Sequence, residues 1–237
     1  MKKILVSDFD GTFYLKNVDI NNNIKNVEKF RSQGNIFIIA TGRSYDEFKE
    51  ALEIHPLSYD YLIINNGATI LNEKHEFINN CIIKNWTKNK LFKDLDFSIV
   101  TNIYGCNILK SKIDVKNKRL TKIHIEYQTL EQAKSVKDFI NKKYKFTLKS
   151  YLIPTTKSVE IISSKCNKAK SVQKLAKSNK INKNNIYAIG DSYNDYDMIK
   201  SFNGYAMENA KPEIKEISIE VLPSVSSLIE KILKLYK

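Results

Sequence analysis

The chain has 237 residues, of which 42% are hydrophobic, so it can bury a substantial core in one large domain or in a domain with a smaller insertion. This composition excludes a disordered chain, and because Asp8 and Asp10 interrupt the first apolar stretch, neither a signal peptide nor a membrane-spanning helix is expected there. The net charge of +13 is compatible with nucleic-acid binding, but it comes from lysines spread along the chain without a dense basic run, which favours a solvated lysine-rich surface.

Four short apolar runs are predicted to form the strands of one parallel sheet. They are rich in Ile, Val, Phe and Tyr, and continuous apolar runs are typical of strands buried on both faces. The runs are Lys3–Ser7, Ile36–Ala40, Tyr61–Ile64 and Ile186–Ile189. Polar or glycine-containing sequence follows each run at once. Because ligands bind at the carboxyl ends of strands in an open α/β sheet, we expect these four loops to converge at one edge.

Helical patterns lie between these runs. Ile24, Val27 and Phe30 recur at helical spacing, and Ser44 with Glu47 forms a candidate capping box ahead of the next helix. Later patterns are centred on Val172 and Leu175, on Met198 and Ile199, and on residues 225–232. Strands that alternate with helices predict right-handed βαβ units.

The middle of the chain follows a different pattern. Ile123 and Ile125 alternate with Lys122 and His124, which predicts a strand with one exposed face. Thr129 begins a predicted helix with a capping box at Gln132, and further strands are predicted at Phe146–Leu152 and Ser158–Ile162. We predict an inserted α+β cap over the carboxyl edge of the sheet. The predicted division is a core of residues 1–82 and 164–237 with the cap at residues 83–163.

Two carboxylate motifs follow predicted strands. Asp8 and Asp10 are two residues apart, so at the end of an extended strand their side chains project from the same face. Adjacent carboxylates repel each other unless a cation offsets their charge, and magnesium accepts oxygen ligands of this kind. After another strand, Asp191, Asn194 and Asp195 can reach the same cation. The pattern therefore predicts a metal site at the edge of the sheet.

Several further residues are candidates for contact with a phosphoryl group or a substrate. Thr41 can donate its hydroxyl and backbone N–H groups to a phosphoryl oxygen, and Lys168, at the start of a helix, can supply a positive charge. The segment Asn65–Gly67 fits a simple turn, and its position after a strand also makes Asn66 a candidate for substrate contact. Other candidates for substrate contact are Tyr14, Arg43 and Glu160.

The cysteines and histidines show no spacing that is typical of a redox or metal site. The cysteines are Cys81, Cys106 and Cys166, and the histidines are His55, His75 and His124. We expect ordinary thiols in a reducing compartment, and histidines with surface or structural roles.

Four ordered motifs resemble the haloacid-dehalogenase-like (HAD) superfamily, and within it the Cof-type sugar-phosphatase branch with a large cap between the second and third motifs. The motifs are Asp8–Thr12, Ala40–Arg43, Lys168 and Gly190–Asp195, and Tyr205–Ala210 is similar to the family's stretch after the last motif. The resemblance runs over the whole length. It implies a Rossmann-like, three-layer α/β core with an inserted α+β cap of class IIB.

The resemblance also implies a mechanism. Asp8 would attack phosphorus in line to give an aspartyl-phosphate, and Asp10 would protonate the leaving oxygen and then activate the hydrolytic water. Thr41 and Lys168 would bind the phosphoryl oxygens as catalytic residues. The implied substrate-binding residues are Thr41, Gly42, Arg43, Asn66 and Lys168.

A magnesium cofactor is implied by the same resemblance. Mg²⁺ would be held by Asp8, the backbone carbonyl of Asp10 and Asp191, and Asn194 and Asp195 would complete or orient its ligand shell. Asp10 argues against dehalogenase chemistry, which in this superfamily lacks the second aspartate.

The sequence departs from the family pattern in two places. Ala169 follows Lys168 where the family often has glycine, so Lys165 and Lys170 are competing candidates for the motif lysine. In the first motif, Phe13–Tyr14 replaces the commoner aliphatic pair, which we interpret as a structural change.

These patterns together predict a cytoplasmic, magnesium-dependent phosphatase that acts on small phosphorylated metabolites, with sugar phosphates as the first choice. A phosphomutase of the same superfamily is the alternative. A nucleic-acid-binding protein is a weaker alternative that rests on charge alone, so neither nucleic acid nor membrane is an expected partner. The sequence does not predict the oligomeric state.

Overall fold

The computed structural model describes residues 2–15 and 20–234. The strands are β1 (Ile4–Ser7), β2 (Ile36–Ala40), β3 (Tyr61–Ile64), β4 (Thr69–Asn72), β5 (Phe77–Asn80), β6 (Val100–Cys106), β7 (Lys122–Tyr127), β8 (Leu148–Ile153), β9 (Ser158–Ser163), β10 (Ile186–Gly190), β11 (Asn203–Met207) and β12 (Glu220–Leu222). The α-helices are α1 (Asn21–Ser32), α2 (Tyr45–Ile54), α3 (Asn85–Asp94), α4 (Leu130–Lys143), α5 (Lys168–Ser178), α6 (Tyr196–Ser201), α7 (Pro212–Glu216) and α8 (Val225–Lys234). None of these helices is both long and apolar enough to cross a membrane.

Eight strands form the core sheet, in the order β12-β11-β10-β1-β2-β3-β4-β5. The strands from β12 to β3 pair in parallel, whereas β4 and β5 extend the sheet as antiparallel neighbours. Every residue of β1, β2 and β10 is buried, as expected for strands covered on both faces. The predicted α/β fold with a parallel sheet is confirmed, and the antiparallel edge is an addition that the sequence patterns did not reveal.

The direction in which strands are added to the core sheet changes at β1. From β1 the chain proceeds outward through β2 and β3, and it later returns to place β10 on the other side of β1. In open α/β sheets, a ligand crevice forms outside the carboxyl ends of the strands at such a point. Asp8 follows β1 and Asp191 follows β10, so both lie at this crevice.

A second, small sheet has four antiparallel strands in the order β6-β7-β9-β8. Its apolar face packs with α3 and α4 in a separate hydrophobic cluster, which includes Leu91, Ile123, Ile125, Ala133 and Ile140. Residues 83–163, called the small-sheet segment below, contain all of these elements. The division of the chain into domains at residues 83 and 163 stays a prediction.

The face of β7 that was predicted to be exposed is largely buried. Lys122 is 2% exposed and His124 is 6% exposed. The prediction is wrong at these two positions because this face lies against the carboxyl edge of the core sheet, where Lys122 Nζ donates to the Gly42 carbonyl at 2.7 Å. The small sheet therefore has an apolar face toward its own helices and a polar face toward the crevice.

Both predicted capping boxes are present. The Ser44 N–H donates to Glu47 Oε2 at 2.8 Å, and the Thr129 N–H donates to Gln132 Oε1 at 3.0 Å. The strand predicted at Phe146–Leu152 begins at Leu148 instead, because the Leu148 N–H closes a turn on the carbonyl of Tyr144 at the end of α4. Local hydrogen bonding therefore confirms the helix starts and shifts this strand by two residues.

Candidate active site

The first motif folds into a tight loop at the end of β1. The Asp8 N–H donates to the Ile189 carbonyl at 3.1 Å, so the pairing with β10 continues up to Asp8 itself. Gly11 then adopts a φ of +82°, a left-handed conformation that glycine adopts without steric cost. A Cβ atom at Gly11 would lie 2.7 Å from Asp191 Oδ2, so glycine also lets the two carboxylate motifs approach each other.

Three carboxylates meet at the crevice. Asp8, Asp191 and Asp195 each offer an oxygen atom, and these oxygens lie within 4.8 Å of one another. Asp8 and Asp195 are buried, and Asp191 is half-buried. Among the residues that the structure describes, no other group of His, Cys, Asp and Glu side chains has this spacing, and Asp10 is not a member.

Lys168 lies directly against this cluster. Its side chain is fully buried, with Nζ 2.5 Å from Asp8 Oδ1 and 2.7 Å from Asp195 Oδ1. Burial opposes the charge of Lys168, but the charges of Asp195 and Asp8 raise its pKa above the ordinary lysine value. By contrast, the exposed Lys170 binds the carbonyl of Ser164, so the geometry favours Lys168 over Lys170 as the motif lysine.

The start of α5 is brought to the crevice by the turn at Asn65–Gly67. Gly67 has a φ of +97°, and a Cβ atom there would lie 2.2 Å from the backbone carbonyl carbon of Asn167. Asn167 caps α5 by accepting from the Lys170 N–H at 2.8 Å. A residue larger than glycine would therefore push away the helix start that carries Lys168.

The charges of the cluster fit a divalent cation. Burial raises the pKa of Asp8 well above its ordinary value; Lys168 opposes this effect, and the charges of Asp195 and Asp191 add to it. Burial and, to a smaller extent, the charge of Asp195 raise the pKa of Asp191 to about 6. When all three carboxylates are ionised, they and the one ammonium group carry two net negative charges, and carboxylate oxygens are the ligands that Mg²⁺ prefers.

Asp195 organises the second motif. Its Oδ2 accepts from the N–H groups of Asp191 and Ser192, both at 3.1 Å, while its Oδ1 accepts from Lys168. Asp191 in turn accepts from the Thr12 hydroxyl at 3.1 Å. Of the two roles predicted for Asp195, orienting the ligand shell therefore agrees better with its bonds than direct ligation.

Thr41 is buried where β2 ends and lines the same cleft as Asp8. Its N–H donates to the Ile63 carbonyl at 2.8 Å, so the predicted donation of the Thr41 N–H to a phosphoryl oxygen is wrong, because the sheet ladder uses this group. The Thr41 hydroxyl oxygen accepts from the Arg43 N–H at 3.1 Å. The hydroxyl hydrogen can therefore point into the cleft.

Arg43 holds the carboxylate of Asp10. Arg43 Nε and Nη2 donate to the two oxygens of Asp10 at 2.8 and 2.7 Å, and Nη1 donates to the Glu47 carbonyl at 3.1 Å. The hydrogen bond to Asp10 is the main reason why the pKa of Arg43 is raised. This bidentate contact orients Asp10 toward the cleft, which the side chains of Asp10 and Arg43 both line.

A chain of polar contacts, called the latch below, runs from the small sheet to the second carboxylate motif. Lys122 Nζ is 2.6 Å from Glu160 Oε1, and Asn66 Nδ2 donates to Glu160 Oε2 at 2.5 Å. Asn194 Nδ2 donates to Asn66 Oδ1 at 2.9 Å. Burial opposes the charge of Glu160, but its interactions with Lys122 and His124 together outweigh burial and lower the pKa of Glu160 to about 2. The latch therefore contains a buried ion pair.

The cleft above Asp8 has a volume of about 530 Å³. Its small-sheet side includes Tyr104 and His124, whose rings stack with centroids 4.6 Å apart. Tyr104 and Lys122 carry no sequence signal of a role in the cleft, since only their strand pairing brings them to the crevice. Tyr14 was a candidate for substrate contact, but its ring instead packs against Phe9 and His55. The Tyr14 and His55 ring centroids lie 4.8 Å apart.

The chain is similar to a known hydrolase family and to proteins described as phosphatases. A family model described as haloacid dehalogenase-like hydrolase matches residues 5–107 and 101–227. A Buchnera aphidicola (subsp. Baizongia pistaciae) protein, described as a candidate phosphatase, is 26% identical and covers 98% of this chain and 98% of its own length. The Bacillus subtilis 5-amino-6-(5-phospho-D-ribitylamino)uracil phosphatase is 26% identical and covers 90% of this chain and 87% of its own length.

Solved structures show that the fold is shared. A candidate HAD/COF-like hydrolase of Plasmodium vivax has a TM-score of 0.83 at 20% identity, covering 99% of this chain and 96% of its own. A haloacid dehalogenase-like hydrolase of Bacillus subtilis has a TM-score of 0.81 at 17% identity, covering 96% of this chain and 99% of its own.

Proposed function

Because this chain belongs to the haloacid dehalogenase-like hydrolase family and to its Cof-type branch, we propose that it is a phosphatase that hydrolyses small phosphorylated metabolites in the cleft above Asp8. One observation carries the proposal. The Asp8 carboxylate is buried at the topological switch point and is fixed by the equally buried Lys168 at 2.5 Å. A buried carboxylate in a polar cleft with an adjacent cation suits attack on an anionic phosphoryl group.

In the first step of the proposed reaction, Asp8 acts as the nucleophile. One Asp8 oxygen would attack phosphorus in line, giving an aspartyl-phosphate and releasing the leaving oxygen of the substrate. The charge of Lys168 favours the ionised form of Asp8, against the larger opposing effect of burial, and would stabilise the negative charge of the transferring group. The Thr41 hydroxyl, which lines the same cleft, would donate to a phosphoryl oxygen.

In this proposal, Asp10 acts as the general acid and then as the general base. Its side chain is 50% exposed and lines the cleft, so it can reach both a leaving oxygen and a water molecule. Asp10 would protonate the leaving oxygen and then take a proton from the water that hydrolyses the aspartyl-phosphate. Arg43 acts as a positioning residue, because it fixes both oxygens of Asp10.

We further propose that the metal is Mg²⁺. Asp8, Asp191 and the backbone carbonyl of Asp10 would hold it, with Asn194 and Asp195 orienting these ligands. When bound, the cation supplies positive charge to the phosphoryl oxygens. The donor set supports this choice, since all of the proposed ligand atoms are oxygens.

Mg²⁺ is expected to raise the melting temperature of the wild-type protein. A ligand at about 100 times its dissociation constant stabilises the folded state by about 2.7 kcal/mol, and each kcal/mol raises the melting temperature of a chain of this size by about 2–4 °C. Asp191→Asn should lose most of this shift, whereas Asp138→Asn, which removes an exposed carboxylate on α4, should keep it. An unchanged shift in Asp191→Asn would place the bound cation elsewhere.

The small-sheet segment is proposed to act as a cap on the cleft. It contributes Tyr104, Lys122 and His124 to the lining, and the latch attaches it to the core sheet. Its opening would admit substrate, and its closure would exclude water during the reaction. The leaving group would lie against its polar face, so this face would select the substrate.

A phosphate-release screen with Mg²⁺ tests the proposed function. The panel contains sugar phosphates, nucleotides, flavin and pyridoxal phosphates, and a phosphorylated ribitylaminouracil because the Bacillus subtilis relative is named for that compound. We expect released phosphate from at least one class, with sugar phosphates as the first choice. An isomerised sugar phosphate without released phosphate would instead identify a phosphomutase, so product analysis accompanies the screen.

A further inference from the structure

Two cysteines lie at the points where the chain crosses between the two sheets. Cys81 follows β5 and precedes α3, and Cys166 lies between β9 and α5. The Cys81 N–H donates to the Ala68 carbonyl at 2.7 Å, which holds this crossing against the core sheet. Cys81 packs against a small buried cluster that contains Cys166 and Ala68. The two thiols, 85 positions apart by the difference of their residue numbers, are therefore neighbours in the fold.

The two thiols differ in their access to solvent. Cys81 is half-buried, whereas Cys166 is only 4% exposed and its Sγ lies 3.2 Å from the Ser163 carbonyl. A soluble reagent therefore reaches Cys81 first. Lys165 and Lys174 contribute positive charge near the Cys81 sulfur, so the surroundings favour an anionic sulfur there.

The acid–base properties of the pair agree with this arrangement. The contact with Cys166 is the main cause that lowers the pKa of Cys81, against the opposing effect of burial. The same contact, together with burial, raises the pKa of Cys166 above its ordinary value. The surroundings therefore favour an anionic sulfur at Cys81 beside a neutral thiol at Cys166, as in sensors that combine a reactive cysteine with a resolving cysteine.

We propose that Cys81 and Cys166 form a redox-modification site, in which a peroxide oxidises Cys81 and Cys166 then closes an intramolecular disulfide. The Cys81 sulfur attacks one oxygen of hydrogen peroxide, the O–O bond breaks, and hydroxide leaves and takes up a proton. The resulting Cys81 sulfenic acid is attacked by the sulfur of Cys166, whose proton leaves with the hydroxyl group as water. The sum is two thiols and one peroxide giving one disulfide and two waters.

The disulfide would join the two crossings covalently. Cys166 lies just before Lys168, which contacts both Asp8 and Asp195. A bond between the two crossings would restrict any opening of the small-sheet segment that shifts them relative to each other. We expect reversible loss of turnover upon oxidation, an effect that rests on the proposed function, whereas formation of the disulfide does not.

The test oxidises the reduced full-length protein with hydrogen peroxide at neutral pH and maps its peptides without reduction. The expected product is a single crosslinked peptide pair that contains Cys81 and Cys166, with Cys106 still a thiol. Cys106 is the internal control, since it is fully buried and burial raises its pKa to about 12. Cys166→Ser should leave Cys81 as a sulfenic acid that dimedone traps, and Cys81→Ser should leave Cys166 reduced.

Three outcomes would overturn the proposal. They are oxidation of Cys106 before Cys81, oxidation of Cys166 in Cys81→Ser at the wild-type rate, and sulfenic acid at Cys81 that never becomes a disulfide in the wild-type protein. All three are read by mass spectrometry and need no substrate, so they separate failure of this site from failure of the proposed function.

Turnover is measured in a second arm. Oxidation should lower phosphate release by about fivefold or more, the lower end of typical coupling between distinct sites. A thiol reductant should restore it, and the Cys81→Ser/Cys166→Ser double variant should be insensitive to peroxide. Cys106→Ser should behave like the wild-type protein. A mapped disulfide with unchanged turnover would refute the effect on opening.

Discussion

Asp8→Asn is expected to reduce phosphate release by on the order of 10⁴–10⁶-fold, the range observed when a member of a nucleophilic catalytic unit is removed. Asparagine has nearly the shape of aspartate but no negative charge with which to attack phosphorus. The folded state should be retained, because burial already raises the pKa of Asp8 and so disfavours its charge. Released phosphate and the melting temperature are measured on the same preparations.

The matched control for Asp8→Asn is Asp138→Asn, which removes a carboxylate from the exposed surface of α4. It should keep both the turnover and the melting temperature of the wild-type protein. Phosphate release by Asp8→Asn at the wild-type rate would show that Asp8 is not the nucleophile. Loss of the cooperative thermal transition would show that the charge of Asp8 is required for folding.

Lys168→Met is expected to impair both stability and turnover. Removing one partner of a buried ion pair costs about 3–5 kcal/mol, because the remaining charge is left without compensation. Here the loss leaves both Asp8 and Asp195 without the ammonium group that lies 2.5 and 2.7 Å from them. Turnover should fall by about 10²–10³-fold, the effect typical of losing one group that stabilises charge in the transition state.

Denaturant unfolding and phosphate release measure the two effects of Lys168→Met. Lys170→Met is the matched control, since Lys170 is exposed on the same helix and its side chain donates to the Ser164 carbonyl, away from the carboxylate cluster. In the Asp8→Asn background, Lys168→Met should cost less stability, because one of the two carboxylates is already neutral. Equal stability costs in both backgrounds would show that the contact with Asp8 contributes nothing.

Much of the core sheet could be predicted from the sequence, because its central strands are buried on both faces. β2 and β3 have the predicted bounds, and β1 and β10 differ from the prediction by one residue at one end. The edge strands could not be found in this way. β5 has two exposed and two half-buried residues, and β12 has only three residues, so neither carries a readable apolar run.

The convergence of the two carboxylate motifs could also be predicted, since both follow central strands of one sheet. The bonds that fix these residues could not. Arg43 was predicted to contact substrate, and only the folded loop shows its two bonds to Asp10. Lys122 looked like an exposed lysine in an alternating strand, because the sequence pattern does not show that the crevice covers this face.

The latch is expected to weaken the apparent affinity of the protein for its substrate. If the small-sheet segment opens as proposed, the Glu160–Asn66 bond of the latch must break, and with it the separate bond of Lys122 to the Gly42 carbonyl. A hydrogen bond to a charged group contributes about 1.5–3 kcal/mol, so these bonds favour the closed arrangement. The apparent dissociation constant then equals the intrinsic constant divided by the fraction of molecules that are open. Two such enzymes with identical contacts to the same substrate would differ in their apparent dissociation constants through the strength of this latch alone.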